Sequence, residues 1–153
     1  MGMNDLEPRN SMSQQLIEQL MLTNKSLTES LEKEFAKTGL KKASFEVLSA
    51  LLNSGAPFSL TPNQLLDRTH ITSGSMTTRI DKLVKKGWVE RIVNSKDKRS
   101  IKVSLTESGQ SVIAQALLEH ERNLAKLLSV LTEKEQVRLN GILSKFLSKT
   151  AKL

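Results

Sequence analysis

The chain has no cysteine and no tyrosine, one tryptophan, four phenylalanines and three prolines among its 153 residues. Without cysteine there is no disulfide, no thiolate nucleophile, no thiolate zinc ligand and no cysteine-based peroxide sensor. The two histidines, His70 and His120, stand far apart in sequence and cannot by themselves supply the three or four convergent ligands of a metal centre. No apolar run approaches the ~18 residues of a membrane span. The N-terminus carries Asp5 and Glu7 and has no signal-type apolar core. The serine-hydrolase elbow, the HExxH zinc motif and the phosphate-cradling glycine loop are also missing. These absences set an enzyme aside, imply no cofactor and no membrane partner, and point to a cytoplasmic protein.

Leucine is abundant, at 25 residues. A leucine-rich, aromatic-poor chain favours packed helices over a sandwich or barrel. The length fits one domain with helical extensions. The net charge is +7, and the excess is concentrated. From Arg68 to Lys102 there are ten basic residues against three acids (Asp81, Glu90, Asp97), while the rest of the chain holds 13 of each sign. A basic excess gathered in one segment is what a polyanion-binding face requires.

Along the chain, residues 1–10 show no periodicity and read as a flexible tail. A helical stripe (Leu16, Ile17, Leu20, Met21, Asn24, Leu27, Leu31, Phe35) runs from Ser11 to a stop at Gly39. A second helix from about Ser44 puts Phe45, Leu48, Leu51 and Leu52 on one face, and Gly55 and Pro57 end it. Thr61-Pro62-Asn63-Gln64 is a capping box with proline at the first helical position, opening a third helix that finishes near Thr69. Thr72 or Ser73 caps a fourth helix with Met76, Ile80, Leu83 and Val84 inward, ending at Gly87. The pattern then changes to the alternation of strands over residues 88–93 and 100–105, joined by the polar loop NSKDKR. Thr106 caps a long helix reaching about Leu131, and Thr132 with Glu135 forms a second capping box. The last helix turns Leu139, Ile142, Leu143, Phe146 and Leu147 inward.

The predicted fold is mostly α with an α+β wing: a winged helix-turn-helix flanked by long N- and C-terminal dimerisation helices. The expected parts are a tail (1–10), an N-terminal dimerisation helix (11–42), a DNA-binding lobe (43–105) and C-terminal dimerisation helices (106–153). A middle of about 60 residues has too small a core to cover three long amphipathic stripes alone, so the end helices either pack on each other within the chain or pair with a second chain, and a homodimer is the preferred expectation.

In a winged helix-turn-helix the second helix of the motif enters the major groove. Its front must be short enough to let the backbone approach and must offer donors to phosphates or base edges. Ser73, Ser75, Thr77 and Thr78 meet both needs. Arg79, on the flank, is long enough for a guanine edge or a phosphate, and Lys82, Lys85 and Lys86 can follow the backbone. In the loop between the strands, Lys96, Lys98 and Arg99 offer charge to a narrow minor groove. Asp97, which DNA would repel, is assigned to orienting Arg99 or Arg79.

GWVER (87–91), NSKDKRS (94–100) and VSLTESG (103–109) resemble the wing signature of the MarR family of bacterial regulators. SGSMTTRIDKL (73–83) resembles that family's recognition helix, and SLTPNQLLDRT (59–69) the helix before it. The family's wing motif, an Asp and an Arg two apart, falls on Asp97 and Arg99, while the prolines frequent near the loop start are replaced by Val93 and Ser95. The resemblance implies a homodimeric transcriptional regulator, most simply a repressor, that binds double-stranded DNA at a pseudo-palindromic operator. It also implies release by a small aromatic or phenolic effector. The alternative is a winged-helix module for nonspecific nucleic-acid packaging or protein–protein contact. Trp88 reads as packing between strand and helices, and His120 as a half-buried histidine rather than a ligand.

Overall fold

The structure is a computed structural model describing residues 11–93 and 100–150. Its elements in chain order are α1 (Met12–Thr38), α2 (Lys42–Asn53), β1 (Ser59–Leu60), α3 (Pro62–Arg68), α4 (Ser73–Lys85), β2 (Val89–Val93), β3 (Ile101–Leu105), α5 (Glu107–Leu128) and α6 (Glu133–Thr150). The chain divides between Lys42 and Ala43 into two compact units.

The first unit is essentially α1. Ser11 and Gln14 cap it reciprocally: the Gln14 amide donates to the Ser11 hydroxyl at 3.2 Å, and the Ser11 amide to the Gln14 side-chain oxygen at 3.0 Å. Gly39 ends it in the left-handed region at φ 67°. The apolar residues Leu16, Ile17, Leu20 and Met21 are all exposed.

The second unit is built round a core to which every element except α6 contributes. Val47, Leu48 and Leu51 of α2, Leu65 of α3, and Met76, Ile80 and Leu83 of α4 are buried, together with Leu60, Val89, Val103, Leu105 and Ile113. Fully burying one such side chain contributes about 1.5–3 kcal/mol. Val84, expected inside, is only half-buried, because it lies off the line of Met76, Ile80 and Leu83 towards the helix flank.

The sheet is antiparallel with strand order β1-β3-β2. The two predicted wing strands pair with each other, Val89 opposite Leu105 and Val93 opposite Ile101. Sequence periodicity does not reveal β1. Two residues cannot show alternation, yet Ser59 and Leu60 pair with Ser104 and Val103 and bury Leu60. The Ser104 hydroxyl fastens the same edge by donating to the Pro57 carbonyl at 3.2 Å.

Helix ends differ from expectation where the following element takes hold. Helix α2 begins two residues before Ser44. Helix α4 stops at Lys85 with Lys86 as its cap residue, and Gly87, at φ 72°, turns the chain into β2. There the Gly87 and Trp88 amides donate to the carbonyls of Val84 and Leu83. Helix α5 ends at Leu128, three residues short of the expected Leu131, so its length is about 33 Å. The Gln136 side chain of α6 donates to the carbonyls of Leu128 and Leu131, ending α5 while anchoring α6. Glu135 completes the predicted cap with Thr132. The Thr132 amide and hydroxyl both donate to its carboxylate and hold its pKa below the usual carboxylate range.

No residue of helix α6 is fully buried. Leu139, Ile142, Phe146 and Leu147, expected inward, are exposed in the single chain, and Leu143 is half-buried. Amphipathicity fixes which face of a helix is apolar but not what covers it. Among the described residues no helix is long and apolar enough to cross a membrane.

Candidate nucleic-acid interface

Helices α3 and α4 and the hairpin β2–β3 make the predicted arrangement. The Gln64 amide donates to the Thr61 hydroxyl at 3.2 Å, and the Gln64 side-chain oxygen accepts from the Thr61 amide at 2.9 Å, which fixes the start of α3. The turn between the helices is held from α2: the His70 amide donates to the Glu46 carboxylate at 2.9 Å, and His70 Nδ1 lies 3.6 Å from the same oxygen. That clamp joins residues 24 positions apart.

Thr72 takes the N-cap position of α4, but its side chain does not cap; its hydroxyl donates to Ser75 Oγ at 3.1 Å instead. Ser73, Ser75, Thr77 and Thr78 are all exposed, as are Lys82, Lys85 and Lys86. Met76, Ile80 and Leu83 are buried beneath them, so the hydroxyls and ammonium groups stand on the outward side of a fixed helix. Lys86 Nζ lies 4.4 Å from the centre of the Trp88 ring, and Trp88 itself is half-buried. His120 is half-buried too, with its ring centre 5.0 Å from that of Phe45.

Arg79 is placed differently from the other candidates. It is half-buried, and its Nη1 donates to the hydroxyl of Ser44 on α2 at 3.3 Å. To reach a base edge or a phosphate it would have to leave Ser44. Lys96, Asp97, Lys98 and Arg99 lie outside the described residues.

Three features escape motif reading. Gly74 sits on the exposed front of α4, and a methyl group added there would meet nothing. Neither backbone geometry nor packing within the chain demands glycine at that position. Asp81, the one acid of α4, is paired with Arg91 of β2, whose Nη2 donates to its carboxylate. Glu46 acts from outside the motif. A glycine on a helix front and a single acid on that helix were visible signals; their meaning needed the fold.

The MarR family model matches residues 38–100. Over 115 residues the chain is 32% identical to the HTH-type transcriptional regulator PecS of Dickeya dadantii, covering 75% of this chain and 69% of that protein. The chain belongs to the MarR family. It is also 30% identical over 127 residues to the multiple antibiotic resistance protein MarR of Escherichia coli, covering 82% of this chain and 86% of that one. Among solved structures, a mutant E. coli MarR complexed with operator DNA superposes with a TM-score of 0.73 at 27% identity, covering 92% of this chain and 99% of the other. The resemblance carried by the recognition-helix and wing segments is thus a MarR-family relationship over most of the chain, and the fold is that of MarR-type winged-helix regulators.

Proposed function

We propose that this MarR-family protein is a homodimeric repressor that places α4 in the major groove of an operator and residues 94–99 in the adjacent minor groove. The observation that carries this reading is the outward front of α4. Short hydroxyl side chains and a glycine lie forward, lysines lie behind, and the helix's one carboxylate is held by an arginine. Such a surface lets a backbone approach DNA and offers donors without uncompensated negative charge. The operator complex of the related E. coli protein supports the same use of the fold.

The dimer follows from the exposed apolar residues of α1 and α6, which a second copy would cover. Two copies then present two α4 helices to half-sites about one helical turn apart. On this reading the protein works in the cytoplasm and carries out no catalysis. A small aromatic or phenolic effector releases it by binding better to the geometry that does not fit DNA; the shift is limited to that difference in affinity.

Arg99 is assigned to the minor groove and Asp97 to orienting it. Arg99→Ala is expected to lower affinity for the preferred duplex about tenfold and to flatten the salt dependence by about one ion. Fluorescence anisotropy at several salt concentrations measures both. A variant with unchanged affinity and slope removes the wing from the interface. Sedimentation of the complex should give two chains per duplex.

A further inference from the structure

The pairing of Asp81 with Arg91 has a consequence for how DNA is read. Asp81 lies one turn after Thr77 and one turn before Lys85, on the outer half of α4. Its side chain is 59% exposed and that of Arg91 37%. An isolated carboxylate at that place would repel phosphate. Arg91 meets it from the neighbouring element, and it is the one ion pair among the described residues that joins α4 to the hairpin.

The strand explains why the pair sits there. Alternate residues of β2 share a face. Val89 is buried in the core, Arg91 is the next residue on the same face, and Val93 beyond it is exposed. Opposite Arg91 is Val103, the last buried residue of β3 on the way to the loop. Apolar packing therefore holds the hairpin to the lobe as far as the rung of Arg91 and Val103, through Val89 and Val103, and the Asp81–Arg91 contact is a polar hold on that last rung. Beyond it, Ile92, Val93, Ile101 and Lys102 are all exposed.

We propose that Asp81 is a positioning residue for specificity: through Arg91 it sets the angle between the recognition helix and the wing hairpin, so that one operator satisfies both grooves at once. The inference rests on the DNA-binding reading above. Exposed ion pairs add little to stability, so the pair's contribution lies in geometry rather than in holding the fold together.

The sign of the effect separates positioning from plain repulsion. If Asp81 only repels DNA, then Asp81→Ala tightens binding to every duplex. If it positions the wing, the same variant weakens binding to the preferred duplex while binding to a scrambled duplex of equal length tightens. The full-length protein is assayed by anisotropy on both duplexes, after its melting temperature is checked against the parent. The expected result for Asp81→Ala is a roughly tenfold loss on the preferred duplex and a roughly two- to threefold gain on the scrambled one, so that discrimination falls about twenty- to thirtyfold. Asp81→Glu, which keeps the charge pair, retains most of the discrimination.

Arg91→Ala should lower discrimination similarly, and the double variant should be no worse than Arg91→Ala alone. Equal tightening on both duplexes overturns the proposal. So do single losses that multiply in the double variant, or an Arg91→Ala loss equal on both duplexes, which marks Arg91 as a phosphate contact. Parent protein that binds both duplexes alike sinks the regulator reading, and this inference with it.

Discussion

Gly109→Ala is expected to destabilise the DNA-binding lobe by about 3 kcal/mol, lowering the melting temperature by roughly 10 °C or more. A methyl group at Gly109 would stand 1.9 Å from the Trp88 carbonyl oxygen and 2.8 Å from its carbon, with Leu105 Cδ2 at 3.2 Å. The first two obstacles are backbone, and they cannot swing aside. The Trp88 carbonyl is itself pinned, since it accepts from the Thr106 amide at 3.1 Å. The Thr106 hydroxyl donates to the Gly87 carbonyl at 2.6 Å and accepts from the Gly109 amide at 3.0 Å. Here the end of the recognition helix, the start of β2 and the first turn of α5 meet within a few residues, and only a residue without a side chain lets them close. Circular-dichroism melts measure the effect. Gly74→Ala is the control, because its methyl group meets open space and alanine is the better helix former by up to about 1 kcal/mol. A Gly109→Ala protein that melts with the parent would show that the α5 start yields without loss.

The second large effect is a loss of binding without loss of folding. Gly74→Leu should melt no lower than the parent, for the reason that makes Gly74→Ala a good control. Its specific DNA affinity should nevertheless fall about 100-fold, a loss of roughly 3 kcal/mol. A branched side chain would project from the exposed front of α4, where the backbone has to come near the groove floor. Retained affinity would mean that another face meets the DNA. Paired melting curves and anisotropy titrations on one protein preparation distinguish the two outcomes.

What could be read from the sequence depended on how local the cause was. The caps of α3, α5 and α6 involve residues three positions apart, and Thr61, Thr106 and Thr132 announced them correctly. The change to strand alternation after Gly87 located the two strands of the hairpin, whose register the structure supplies. For α4 the sequence offers Thr72 or Ser73 as cap; Thr72 occupies the position but turns its hydroxyl to Ser75.

Causes acting over longer separations stayed hidden. Glu46 clamps the turn 24 residues away, and Ser44 holds Arg79 across 35. The intolerance of Gly109 comes from a carbonyl on Trp88, and β1 exists because β3 offers it an edge. Asp81 and Arg91 are only ten residues apart, but a helix end, a glycine turn and half a strand intervene. Spacing alone could not bring them together. The outward stripes of α1 and α6 were legible as apolar, while what covers them, on the proposed dimer a second chain, is not displayed by one sequence.

On the proposed function, this MarR-family protein reads one DNA sequence through the front of α4. Its most direct test is fluorescence anisotropy of the purified protein on duplexes tiling the DNA around its own gene, with a scrambled duplex as control. One tile is expected to bind at least ~10³-fold more tightly than the scrambled control, with that preference lost in Gly74→Leu. Equal affinity for every tile, or a preference that Gly74→Leu leaves intact, would contradict it.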